Sequence, residues 1–273
     1  MLTSETAKNL LNGKNKVSLD LGISETIVNQ TNTEYFLNEV ETVKSSELKK
    51  IAKDPRSIYF VENKSVFMAA ISGKHFYKLA KVTRAPTLEI DGIRMHRTKN
   101  TTPEKDAEEK LKILGLRGGK ILDTCMGLGY TAIQAYKYGA EYVISIEYDP
   151  NVVRIAMLNP WSNKLFNEPI IHKLIGDSFH VVDTFPEDHF DYIIHDPPRR
   201  GSAGHLYGFE FYCKLASVIK QGGNMFHYTG EPRTRYRGVN IRRGIKERLT
   251  RAGFIDIIYH PLVRGFTCSM DTA

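Results

Sequence analysis

The chain has 273 residues, 41% of them apolar, and a formal net charge of +7. That length holds one large domain, or an ordinary domain with a smaller one, and the apolar share is enough for a packed core, which excludes wholesale disorder. No stretch approaches the roughly 18 apolar residues of a membrane helix, no secretory leader pattern opens the chain, and Cys125, Cys213 and Cys268 are too scattered for a zinc site or a disulfide framework.

A cytoplasmic protein without a metal is the expectation, and the positive charge favours an anionic partner. Up to about residue 100 the pattern is of short strands with one or two helical pieces. Lys16–Leu21 and Ile58–Val61 alternate apolar and polar residues, and Val66–Ile71 is a compact apolar run. Asn63-Lys64 and Asp91-Gly92 read as tight turns of two hairpins. Residues 47–53 read as a helix stopped before Pro55. Residues 1–100 are therefore expected to form a small β-rich domain, and 101–273 a second domain.

Thr102-Pro103-Glu104 opens a helix with a hydroxyl cap, a first-turn proline and acids behind it. Strands are expected at 121–125, 142–147, 170–175, 190–195 and 224–229. Helices are expected at 130–138, 150–158, 207–220 and 239–252, and a last hairpin at 254–260 and 264–270. Repeated strand–helix units imply an α/β fold with a parallel sheet, right-handed crossovers and ligands beyond the carboxyl ends of the strands.

Those strand ends carry polar groups. Asp123, Gly127 and Gly129 follow the first strand, with glycines where a turn must approach a nucleotide-like ligand. Glu147, roughly 20 residues on, stands where an acid meets a ribose. Asp177-Ser178 follows the third strand, His195-Asp196-Pro197-Pro198-Arg199 the fourth and Tyr228-Thr229-Gly230-Glu231 the fifth.

This set resembles class I S-adenosylmethionine-dependent methyltransferases across roughly residues 103–270. Leu122-Asp123-Thr124-Cys125-Met126-Gly127-Leu128-Gly129 is similar to their first motif, with Cys125 in place of its first glycine. The resemblance implies a Rossmann-like sheet and S-adenosylmethionine as cofactor. It puts Asp123, Cys125, Gly127, Gly129 and Tyr130 around the methionine portion, Glu147 and Tyr148 at the ribose, and Asp177 and Ser178 at the adenine. More narrowly, the runs at 123–133, Asn159-Pro160-Trp161-Ser162, Asp196–Arg199 and Phe226–Gly230 are similar to a methyltransferase group found mainly in archaea.

The turn Asp196-Pro197-Pro198-Arg199 is the expected catalytic element. Two prolines stiffen it, and the acid, which also borders the cofactor, would accept hydrogen bonds from an amine and aim its lone pair at the transferred carbon. Arg199 stands where amino-methyltransferases carry an aromatic residue. His195, Arg199, Tyr207, Tyr228, Arg233 and Arg235 are the expected substrate contacts. Arg233, Arg235 and Arg237, with Arg199 and Arg200, would make a phosphate-binding rim, so RNA or a phosphorylated small molecule is the expected partner, and N-methylation of a nucleobase the expected reaction. The alternatives are a non-catalytic module and aminopropyl transfer as in spermidine synthases, which share this sheet and a small N-terminal β domain. Residues 88–93 are faintly similar to their hairpin, but their glycine-rich G-G-G-D-G-G run is missing.

Overall fold

The computed structural model describes residues 1–198, 203–230 and 241–272. They form two compact units, one of Met1–Pro103 with Asn151–Lys164, the other of Glu104–Pro150 with Leu165–Ala273. No helix among the described residues is long and apolar enough to cross a membrane.

The first unit is β-rich, as its short alternating runs predict. Asn63 and Lys64 take positive φ of 51° and 58°, and Asp91 and Gly92 of 48° and 78°. Such paired left-handed residues twist a two-residue turn to match its strands. They join Tyr59–Glu62 to Ser65–Met68 and Thr87–Ile90 to Ile93–Arg94. The run expected at 66–71 is broken, because Ala70–Ser72 leaves that hairpin to pair with Phe76–Ala80. Lys16–Leu21 is strand only at Lys16–Val17; beyond it the Asp20 carboxylate accepts from the backbone N–H groups of Ile23 and Ser24 and bends the chain. The N-terminal helix Ser4–Leu11, capped by Thr3, was not expected from the sequence. The segment 151–164, assigned by sequence to the second domain, packs with this unit.

The second unit is an α/β sheet. Its elements are α1 (Pro103–Leu114), β1 (Lys120–Asp123), α2 (Tyr130–Lys137), β2 (Tyr142–Glu147), β3 (Ile171–Ile175), β4 (Phe190–His195), α3 (Phe209–Val218), β5 (Ile219–Tyr228), α4 (Ile241–Arg251), β6 (Phe254–His260) and β7 (Gly265–Met270). The seven strands run in the order β3-β2-β1-β4-β5-β7-β6. β1 to β5 are parallel, and β7 lies antiparallel between β5 and β6. The order reverses at β1, so the crevice of such a sheet opens between the carboxyl ends of β1 and β4. The core is built from Ile193, Phe190, Phe211, Leu215, Met225, Ile245, Leu249 and Phe254.

β5 begins five residues earlier than expected. The helix before it ends at Val218, and Ile219 already pairs with Phe190. Gly222 at φ 71° and Gly223, whose absent side chain would meet the Asp191 carbonyl oxygen at 3.0 Å, let the strand pass through an irregular stretch without breaking.

Gly129 starts α2 at φ 76°, and a Cβ there would lie 2.5 Å from Cδ2 of Leu165. Its smallness serves the packing of that leucine as well as the turn. Gly129→Ala is expected to cost about 2–4 kcal/mol, the sum of left-handed backbone strain and overpacking, read as a lower midpoint in chemical denaturation. An unchanged midpoint would show that the turn relaxes freely.

Candidate active site

β1 delivers Asp123 to the crevice with no exposed surface. Its Oδ2 accepts from the hydroxyls of Ser145 on β2 (2.8 Å) and Thr131 on α2 (3.0 Å). Burial pushes this carboxyl up to about 6 against the pull of those two hydroxyls. Its Oδ1 is buried and has no hydrogen-bond partner among the described residues.

Above Asp123 the chain turns. Met126 N–H donates to the Ile146 carbonyl (2.8 Å) and Gly129 N–H to the Met126 carbonyl (2.7 Å). Gly127, at φ 54°, donates its N–H to Glu147 Oε2 (2.9 Å), while Asp149 N–H donates to Oε1 (3.0 Å). Burial raises the Glu147 carboxyl to about 7, although these amide donors work the other way. Both oxygens of Glu147 thus already have one donor each, and each retains a lone pair for a ligand hydroxyl. Cys125 lies in the turn, its thiol pushed well up by burial. Tyr130, expected near the cofactor, has its side chain packed inside the fold, whereas Tyr148 is 72% exposed beside Glu147.

The third strand end is a cap. Asp177 Oδ1 accepts from Phe179 N–H (3.0 Å) and lies 3.3 Å from His205 Nε2. The Ser178 hydroxyl is buried and donates to the Thr124 carbonyl, so it ties two loops together rather than facing a ligand as expected.

His195 closes β4 and is fully buried. Its Nε2 donates to the Leu206 carbonyl (2.9 Å) and its Nδ1 accepts from the Thr124 hydroxyl (2.8 Å). Burial drops the imidazole to about 3, so it is neutral. The expectation that His195 touches substrate is therefore corrected: strand alternation turns it into the core. Tyr207 is corrected likewise. It is buried, and its hydroxyl donates to the carbonyls of Pro198 (3.0 Å) and Pro197 (3.4 Å), bracing the double-proline turn from behind.

Asp196 stands at the mouth of the crevice. Its Oδ2 accepts from Lys110 Nζ at 2.6 Å, and Lys110 also bonds Asp106 Oδ2 at 2.8 Å. Among the described residues Asp196 Oδ1 makes no hydrogen bond. Tyr228, at the end of β5, is half-buried with Lys110 4.9 Å from its ring centre. Burial and the nearby Asp196 raise its phenol. Arg199, Arg200, Arg233, Arg235 and Arg237 lie outside the described residues. Of the basic residues on α4, Arg242 stacks on Tyr259 (4.0 Å), Arg251 on Phe209 (4.4 Å), Arg248 Nε donates to the Tyr207 carbonyl (3.0 Å) and Arg243 pairs with Glu247. Each of these four arginines thus has a partner within the unit.

Lys110 and Asp106 are the site residues that sequence reading missed. The signal was there: both sit one position before the buried stripe of Ala107, Leu111 and Leu114 on α1, so each borders the face the helix buries.

The donor set fits a sulfonium nucleoside. Asp123, Glu147, Asp177 and Asp196 place four carboxyl groups around the turn, Asp123 Oδ1 has no donor among the described residues, and Glu147 has lone pairs for a diol.

A family profile described as the spermine/spermidine synthase domain matches residues 88–244, more than half of the chain and every strand end just described. An uncharacterized protein of Methanocaldococcus jannaschii is 44% identical over 266 residues, 94% of this chain and 90% of that protein. A polyamine aminopropyltransferase of Aeropyrum pernix is 30% identical over 110 residues, which span 38% of this chain and only 35% of that protein. The spermidine synthase of Thermotoga maritima shares the fold, with a TM-score of 0.57 at 18% identity over 80% of this chain and 74% of that one. The stronger resemblance read in the sequence, to methyltransferases, gives way to the alternative: the chain belongs to the spermine/spermidine synthase domain family.

Proposed function

We propose that the protein transfers an aminopropyl group from decarboxylated S-adenosylmethionine to an amine. The observation that carries this reading is the family match, which runs from residue 88 to 244 and so takes in the glycine turn, Glu147, Asp177 and Asp196 together. The donor, when bound, supplies a carbon activated by its sulfonium. This chain's residues do the rest. Glu147 accepts from the ribose hydroxyls. The acids around the turn stabilise the positive sulfur and favour a side chain that has lost its carboxylate. Asp196 Oδ1 accepts an N–H of the incoming amine, aims its lone pair along the bond to be broken, and is placed to take the proton released as the new C–N bond forms.

Methyl transfer from S-adenosylmethionine remains the second reading, and one observation favours it. Asp106, Lys110 and Asp196 together carry a single net negative charge, a modest attraction for a polyamine with several ammonium groups.

Purified protein offered each donor separately, with putrescine or spermidine as acceptor, decides between the two. Release of 5′-methylthioadenosine from the decarboxylated donor is expected, and Asp196→Asn should lower it by about 100-fold. S-adenosylhomocysteine formed from the carboxylated donor alone would replace this reading with the second, and no product from either would remove both.

Glu147 generates a pH prediction. With its carboxyl raised to about 7, it holds a proton in the free protein below that pH, whereas two donated ribose hydrogen bonds favour the ionised form. Affinity for 5′-methylthioadenosine should therefore fall as pH drops below 7, by up to about tenfold per unit. Glu147→Gln should flatten that dependence in calorimetric titrations. A slope unchanged in the variant would assign the proton to another group.

A further inference from the structure

Lys110 is a buried lysine whose ammonium lies between two carboxylates and near two aromatic rings. It projects from α1 one turn beyond Asp106, and its side chain is 6% exposed. Its Nζ lies 2.8 Å from Asp106 Oδ2 and 2.6 Å from Asp196 Oδ2, with the Tyr228 ring centre at 4.9 Å and that of Phe226 at 6.0 Å. Two charge-assisted bonds and an aromatic face favour its charged form. Burial is the largest single influence on this amine and favours its neutral form, yet the two carboxylates together outweigh it and hold the ammonium well above the usual lysine range.

The two acids differ in what else they meet. Asp106 is buried beside its own helix, whereas Asp196 is the partly exposed member, with Oδ1 unbonded among the described residues. The other groups near Asp196 are Asp123 and Cys125 from β1 and its turn, Tyr207 behind the double proline, and Tyr228 from β5, whose phenol also feels the charge of Arg264. His195, the preceding residue, is neutral. Lys110 is thus a cation in direct contact with both carboxylates. Without it, two carboxylates bonded to one nitrogen would face each other across a largely dry gap, an arrangement in which one takes up a proton.

We propose that Lys110 is a positioning residue for the acceptor carboxylate: it holds Asp196 Oδ2, leaves Oδ1 facing the incoming amine, and places one positive charge between the side chains of Asp106 and Asp196. This inference rests on the reading of Asp196 as the group that receives the amine. A fixed ammonium beside that oxygen also opposes a second ammonium, so it favours the neutral, nucleophilic form of a bound amine. The sign of the pH effect follows. Loss of Lys110 makes the carboxylate pair retain a proton to higher pH, so acceptance by Asp196 fails sooner as pH falls.

The full-length protein labelled with ¹³C at aspartate carboxyls tests this by NMR titration between pH 5 and 9, with Asp196→Asn to identify the signal. In Lys110→Gln the Asp196 midpoint should rise by at least about one pH unit over wild type, whereas Asp106→Asn, which keeps the ammonium, should not raise it. Should Lys110→Gln fail to fold, Lys110→Met in the Asp106→Asn background removes one charge of each sign, and its Asp196 midpoint should lie above that of Asp106→Asn alone. In a turnover assay the acid limb of kcat should move with the carboxylate, a change that a merely structural lysine would not produce. An Asp196 midpoint indifferent to Lys110 would overturn the proposal. The titration reads the carboxylate and not turnover, so a failed donor assay would remove the proposed function and leave this result standing, and the reverse also holds.

Discussion

Everything at the crevice hangs on a carboxylate that has no contact with water. Asp123 ends β1 and is gripped by hydroxyls from β2 and α2, so three elements meet at one oxygen. Burying a charge in this way is expensive, and its carboxyl is raised to about 6 as a result. In return the glycine turn has one place to sit. That place sets Gly127 N–H against Glu147, and Thr124 N–H donates to the Ile194 carbonyl two residues before Asp196. A methyl group at Gly129 or a repositioned Asp123 would shift this geometry before it touched any ligand.

The local charge of the site opposes that of the whole chain. Formal charge over the molecule is +7, yet the strand ends present Asp123, Glu147, Asp177 and Asp196. Net charge describes partners at long range; a binding pocket is decided by the groups within a few ångströms. Here those groups suit a cationic nucleoside, which is common ground for aminopropyl and methyl transfer. What separates the two is the charge of the donor's tail and of the acceptor, and the lysine on α1 bears on both.

The sheet was legible from the sequence because hydrophobic runs and glycine punctuation repeat with the period of strand–helix units. The hairpin turns at 63–64 and 91–92 were legible for the same reason, since their residues tolerate left-handed backbone. The first unit resisted finer reading because strands of two or three residues leave no periodicity to detect. In the site, Asp123, Glu147 and Asp196 stood out by position alone. His195 is turned into the core by strand alternation, whereas the burial of Tyr207, which lies outside the strands, leaves no such periodic signal. Lys110 borders the buried face of α1, a local signal, but its partner Asp196 is 86 residues away and that pairing leaves no local pattern. Short motifs such as the glycine turn are shared by many sulfonium enzymes and do not separate methyl from aminopropyl transfer, whereas the family match integrates the whole segment.

The packing of Arg248 has one last consequence. Its guanidinium holds the carbonyl of Tyr207, whose hydroxyl holds the carbonyls of Pro197 and Pro198. A cation that looks like surface decoration on α4 is therefore two contacts from the acceptor turn. Stripping the arginines of this helix to search for a polyanion-binding face would remove the brace on the double-proline turn at the same time, and the two effects would be confounded.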